Sequence, residues 1–308
     1  KRRNSKRRSE YSSPRRYSKK MEPQFFMRVK LSESQFFSLL RLLLGAWLVI
    51  HFLRLLPYME EVYSLSGVRV AGGELYLKDM LHPLRTSQGI YLIGVFATFC
   101  SLGFMLKIYR RVMSGILFII WIFLYHQNIL TYTPILPYIG WLLLALSFIK
   151  DNEVRFPWQE SSSQFEFSTI LFHGFWIITA LTYTSSGLQK FLYSPLWKEG
   201  KAFDFILSYP ASRSENIFIL YSQLPLLLKI LVNYSAICAE SFYALSFFNS
   251  KLRKFFWMGI LIMHLVILIT LRFEELSIGM IIIHSFLIEK DWFKFGGLSK
   301  ITWRNNWN

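Results

Sequence analysis

Ionisable side chains inside otherwise apolar stretches are where this chain could do chemistry. Arg41, His51, Arg54, His126, His173, Lys229, Glu240, His264 and His284 all sit in such stretches. A charge at the centre of a bilayer costs roughly 2.5–3.5 kcal/mol on insertion scales, so each needs a reason to be there. Arg41, Arg54 and Lys229 lie near the ends of their stretches, where long side chains reach headgroups, so they are expected to snorkel. His173 is likewise expected to be structural. Glu240 falls mid-stretch and cannot snorkel; it must be protonated or paired, and His264 on the neighbouring helix is the expected partner.

The densest polar cluster runs Thr182-Tyr-Thr-Ser-Ser-Gly-Leu-Gln-Lys190, followed by Trp197-Lys-Glu-Gly200. Small hydroxyl residues let helices approach closely and satisfy backbone groups where a helix ends in lipid. Lys190 stands among the apolar neighbours Leu188, Phe191 and Leu192. Burial favours the neutral amine, which is a general base, and repulsion from Lys198 and Lys201 would act in the same direction. Cys100 and Cys238 lie in apolar stretches without paired spacing and read as small hydrophobes. The histidines lack metal-ligand spacing such as i, i+4, so no metal is expected.

These residues need a framework, and composition says which. The 308 residues are 53% hydrophobic and 18% aromatic but only 18% charged. One soluble core cannot hide that much apolar surface, whereas lipid accepts it. The expectation is an all-α integral membrane protein of about eight transmembrane helices, near 36–56, 89–106, 112–130, 134–149, 168–187, 224–248, 255–271 and 275–288. The stretch 202–221 is amphipathic and interrupted by Pro210, so an interfacial or re-entrant helix is expected there.

The formal net charge is +16. Much of it lies in a Ser- and Arg-rich tail, 1–32, read as disordered and cytoplasmic, touching anionic headgroups rather than nucleic acid. The first residue is not Met, and Met21 offers an internal start. The membrane domain is 33–289, with a short cytoplasmic tail at 290–308. The turns holding Lys107, Arg110 and Arg111, and Lys251, Arg253 and Lys254, fall on one side of an eight-span bundle together with both tails. That side is expected to be the cytoplasm of a plasma or inner membrane. Glu60, Glu61, Glu74 and Asp79 fall opposite. So do Lys190, Lys198, Lys201 and Arg213, a basic group on the side where topology disfavours it.

The stretch Tyr183 to Lys190, with Trp197 to Gly200, resembles the signature of the HTTM family, the membrane domain shared by vitamin K-dependent γ-carboxylases and many short bacterial proteins. Glu240 in Cys238-Ala-Glu-Ser-Phe, His264, and the His126-Gln-Asn stretch accompany it. The resemblance implies a helical bundle with an extracytoplasmic pocket. Lys190 would be the base that deprotonates a reduced quinone, and His126 a second catalytic group. Ser186, Gln189, Trp197, Glu240 and His264 would line the pocket. A secreted peptide or protein would be the substrate. This chain departs from the carboxylases in carrying Gln189 where they have the first of two adjacent lysines. No counterpart of their large soluble C-terminal domain is expected within the residues after the last expected span. A non-catalytic protein that binds, matures or exports a peptide is the alternative, and a small transporter with Glu240 and His264 as a proton relay is a third.

Overall fold

The structure is a computed structural model that describes residues 32–68, 82–128, 131, 133–160, 165, 167–208, 210–289 and 292. Apart from Ser32 and Trp292, the two expected tails lie outside the described residues, as do Glu74 and Asp79. The described residues are helical, without strands, and helices occupy all eight stretches picked out by hydropathy. These are α1 (Glu33–Leu55), the short α2 (Met59–Tyr63), α3 (Ser87–Met105), α4 (Arg110–Gln127), α5 (Ile135–Phe148), α6 (Thr169–Tyr193), the short α7 (Pro195–Lys198) and α8 (Ala202–Ser208), α9 (Glu215–Ser222), α10 (Leu226–Ser241), α11 (Ser250–Thr270) and α12 (Glu274–Phe286).

Local chemistry sets many of the ends. Ser32 and Gln35 form a reciprocal capping box that starts α1. Thr86, Ser214 and Asn249 accept backbone N–H bonds at the starts of α3, α9 and α11. Pro225 separates α9 from α10, and the two axes bend by 115°. The expected re-entrant stretch is therefore two short helices, α8 and α9, hinged onto α10.

Among the described residues, three helical stretches are long and apolar enough to cross a membrane: Glu33–Tyr63, Ser87–Met105 and Ser250–Thr270. The bent α9–α10 pair is a fourth if it counts as one span. α5 has 14 residues and α12 has 13, about 20 Å each against a hydrocarbon core of about 30 Å. α6 has the length, at 25 residues, but its hydroxyl-rich half dilutes its hydropathy. Large apolar side chains such as Leu92, Phe99, Ile119, Leu226 and Phe255 are exposed on the helices. Surfaces of this kind suit contact with lipid.

α1 packs on α3, α3 on α4, and α4 on α5, while α12 touches α1, α5 and α11. α6 packs on α10 and on the 3-10 turn Tyr243–Phe247. One apolar core joins these helices.

Arg41 corrects an expectation: it does not snorkel. It is completely buried and donates to the carbonyls of Phe104 and Met105 at the end of α3, to Ser38 Oγ and to the Arg155 carbonyl. Arg110 is equally buried and donates to Leu146 O at 2.7 Å, Ile149 O at 2.7 Å and Lys150 O at 3.0 Å, closing the end of α5. Helix C-termini expose carbonyls and a partial negative charge, and a guanidinium answers both. Glu153, also buried, lies 2.9 Å from Arg110 Nε and 3.6 Å from Arg41 Nε.

Candidate functional site

Tyr183, Ser186, Gly187 and Lys190 recur along α6 at helical spacing, so they share one face. That face meets α10. Gly187 permits the approach: a Cβ there would stand 2.4 Å from Ser241 N and 2.8 Å from Glu240 Cβ. With the backbones this close, the Lys190 ammonium reaches Glu240, donating to Oε1 at 2.6 Å and also to Oε2. Ser186 Oγ donates to Glu240 Oε2 at 3.1 Å and accepts from Lys190 Nζ at 3.3 Å. Trp197, carried by α7 just beyond α6, presents its ring 5.3 Å from Nζ. The Glu240 side chain is 6% exposed and that of Lys190 28%. The pair is sealed from one side and reachable from the other.

Two turns toward the start of α6, a second polar group lies wholly in the core. Tyr183 Oη sits 2.8 Å from His264 Nε2 on α11 and 2.9 Å from His284 Nε2 on α12. The rings of Tyr138 and Tyr243 pack on Tyr183 with centroids 6.0 and 5.1 Å away. Trp257 Nε1 donates to the His284 carbonyl at 2.8 Å.

Of the residues singled out from sequence, Lys190, Ser186, Trp197 and Glu240 come together. His264 does not pair with Glu240 as expected; its partner is Tyr183, and the partner of Glu240 is Lys190. The reason is register. Lys190 and Glu240 lie level across the close α6–α10 contact, while His264 faces α6 further into the core. Gln189 is exposed on α6 outside that face, its amide 3.5 Å from Ser185 Oγ. His126 is exposed at the end of α4 with its ring against Tyr125, and takes no part in the Lys190 group. His173 is exposed and bonded to the Thr169 carbonyl. His51 stacks on Trp47 and bonds Glu275 Oε1 at 2.9 Å. Lys201, expected to repel Lys190, is bonded to Glu199 at 2.8 Å. Lys229 pairs with Asp204 at 2.9 Å. Among the described residues, no three His, Cys, Asp or Glu converge to hold a metal ion. Sequence reasoning missed the part played by Tyr183 and its link to His284. The signal available was the i, i+3, i+7 alignment of Tyr183, Ser186 and Lys190.

Gly187→Ala is expected to lower stability by about 1–3 kcal/mol, the usual cost of forcing a methyl into a closed contact. Gly174→Ala is the control on the same helix, because a Cβ there meets nothing within 4 Å. Melting in detergent should fall for the first and hold or rise for the second. Equal melting would mean that α6 and α10 are not held this close.

No family model, curated protein or solved structure matches the chain.

Proposed function

We propose that the chain is an eight-span membrane enzyme of the HTTM kind, in which Lys190, governed by Glu240, takes a proton from a lipid-soluble quinol. The observation that supports this reading is that the Lys190 amine turns inward onto a carboxylate between helices, not outward to headgroups. Eight helices at the hydropathic stretches are compatible with eight crossings. An even number puts both ends and the basic turns on the cytoplasmic side and Lys190 on the other.

The residues around Nζ fit a quinol headgroup. The amine keeps partial access, Trp197 offers a flat ring, and Leu188, Phe191 and Leu192 are exposed beside it, open to the bilayer. Lys190 and Trp197 would hold such a molecule, which when bound would supply reducing equivalents and an acidic hydroxyl. The protein's own part is to prepare the base. As an ammonium, Nζ has no lone pair. Passing one proton from Nζ to Glu240 Oε1 leaves a neutral acid and a neutral amine whose lone pair can accept a proton. Ser186 Oγ, bonded to both, keeps them aligned through the exchange.

The same pair supports a second reading. Its doubled bond fastens α6 to α10 without any need for catalysis, as in a protein that binds or exports a secreted peptide. Lys190→Arg separates the two, because arginine keeps the charge and does not give up its proton. Purified protein in lipid nanodiscs would be given a reduced naphthoquinone and oxygen, and quinol loss followed. The enzyme reading expects turnover by the wild type and a loss of about 10²-fold or more in Lys190→Arg, with normal insertion. Equal turnover by the two proteins, or none by the wild type, leaves the second reading.

A further inference from the structure

Trp197 reaches Lys190 because the chain after α6 packs on α10, and α7 cannot hold that path alone. It is a single turn of four residues, Pro195–Lys198. An isolated helix in water needs roughly 12–15. α7 ends in a Schellman motif: Gly200 N donates to Trp197 O at 3.2 Å and Lys201 N to Leu196 O at 2.8 Å, with Gly200 in the left-handed region at φ 69°. A Cβ on Gly200 would stand 3.1 Å from Ile230 Cγ1, so the turn lies directly on α10. Two side chains of α10 then fasten the segment. Tyr234 Oη donates to the Lys198 carbonyl at 2.7 Å. Asn233, completely buried, accepts from Phe203 N at 3.3 Å and donates to Lys229 O at 2.9 Å and Tyr221 Oη at 3.2 Å. The Phe203 ring in turn meets the Trp197 ring edge-on, centroids 5.6 Å apart. Ile230, Asn233, Tyr234 and Glu240 fall on one face of α10 by helical spacing. The same rigid face thus carries the carboxylate that pairs with Lys190 and the anchors of the ring beside it.

We propose that Tyr234, with Asn233 beside it, is a positioning residue for the Lys190 site: it holds α7 so that the Trp197 ring stays against the Lys190 amine. The inference rests on the reading of Lys190 and Trp197 as the groups that hold a quinol headgroup. Tyr234 acts through Trp197. Its hydroxyl grips the carbonyl of the residue next to Trp197, so it sets the rotation of α7, and that rotation decides where the indole points. Asn233 fixes the backbone of Phe203, whose ring edge backs the indole. With both anchors in place the indole stands 5.3 Å from Nζ before any ligand arrives. A headgroup that must first order α7 binds more weakly, because ordering the site then counts against binding. Lys190 and Glu240 stand on α6 and α10 and keep their pairing without α7. Loss of the Tyr234 hydroxyl therefore falls on KM and not on kcat.

The test joins a measurement on the resting protein to one on turnover, both on the full chain in nanodiscs. Tyr234→Phe keeps the ring and removes the hydroxyl; Trp197→Ala removes the indole itself. Acylation of Lys190 by N-succinimidyl acetate is followed by peptide mass spectrometry, with the exposed Lys251 as internal standard. Each variant should raise Lys190 acylation about threefold or more, and Tyr234→Phe should add nothing in the Trp197→Ala background, since the two act on one contact. Unchanged acylation in either single variant overturns the proposal, as does a further rise in the double variant. In the quinol assay Tyr234→Phe should raise KM about fivefold or more and leave kcat within about twofold of the wild type. An unchanged KM, or a fall in kcat alone, overturns the positioning role. Should the wild type consume no quinol, the reading of Lys190 as a base fails, and the hold of Tyr234 on Trp197 is decided by acylation alone: a raised and non-additive rate supports it, an unchanged rate overturns it.

Discussion

Glu153→Gln should cost about 3–5 kcal/mol, the usual penalty for stranding a buried charge, and should leave little monodisperse protein in detergent. Glu153 is the fully buried acid between two fully buried guanidinium groups, 2.9 Å from Arg110 and 3.6 Å from Arg41. Asp151, 3.1 Å from Arg110, is 35% exposed and screened by solvent. Once Glu153 is neutral, the two buried arginines keep only the solvent-screened Asp151, on Arg110, and the helix carbonyls to balance them. The carbonyls supply partial charge, not a full one. Asp151→Asn is the comparison and should cost about 1 kcal/mol or less, as exposed pairs do. The readout is melting of the three proteins in one detergent. A Glu153→Gln protein that melts within a degree of the wild type would mean that the carboxylate does not balance the arginines.

The second large effect belongs to Glu240→Leu. It leaves the Lys190 ammonium between α6 and α10 with Ser186 and the Trp197 ring as its remaining described partners. The expected loss is about 2–3 kcal/mol, below that for a sealed pair, because Lys190 retains 28% exposure and can turn toward headgroups. Glu240→Gln, which still accepts a hydrogen bond, should lose less. The informative protein is Lys190→Met with Glu240→Leu. Removing both charges at once should return stability to within about 1 kcal/mol of the wild type, since an apolar pair often replaces a buried ion pair without loss. A double-mutant cycle on melting measures the coupling. Additive single losses would show that the two side chains do not interact in the membrane, and the proposed exchange of a proton between them would fall with that result.

The helices were legible because a bilayer-sized apolar run announces itself, and the helical positions of α1, α3, α4, α5, α6, α10, α11 and α12 follow hydropathy closely. The Lys190 group was legible in part for a similar reason. Ser186 and Lys190 are one turn apart on a single helix, and Trp197 follows a short connection, so local spacing alone brings them near. His126 was not, because its nearness to Lys190 would depend on how α4 sits against α6, which no spacing along the chain reports.

Arg41 shows the limit plainly. By position it stands near a helix end and should reach for headgroups; in the fold it caps α3 and shares Glu153 with Arg110. Nothing between residues 41 and 153 in the chain signals that meeting. Likewise Glu240 had two conceivable partners, His264 and Lys190, and the close contact at Gly187 selected Lys190 by setting the register of α6 against α10. Composition and hydropathy along the chain make it helical, apolar enough for lipid, and burdened with polar groups that lipid does not solvate. Which of those groups meet follows from how the helices pack, because hydropathy is a sum over neighbours in the chain, whereas an ion pair depends on the distance between two atoms carried by different helices.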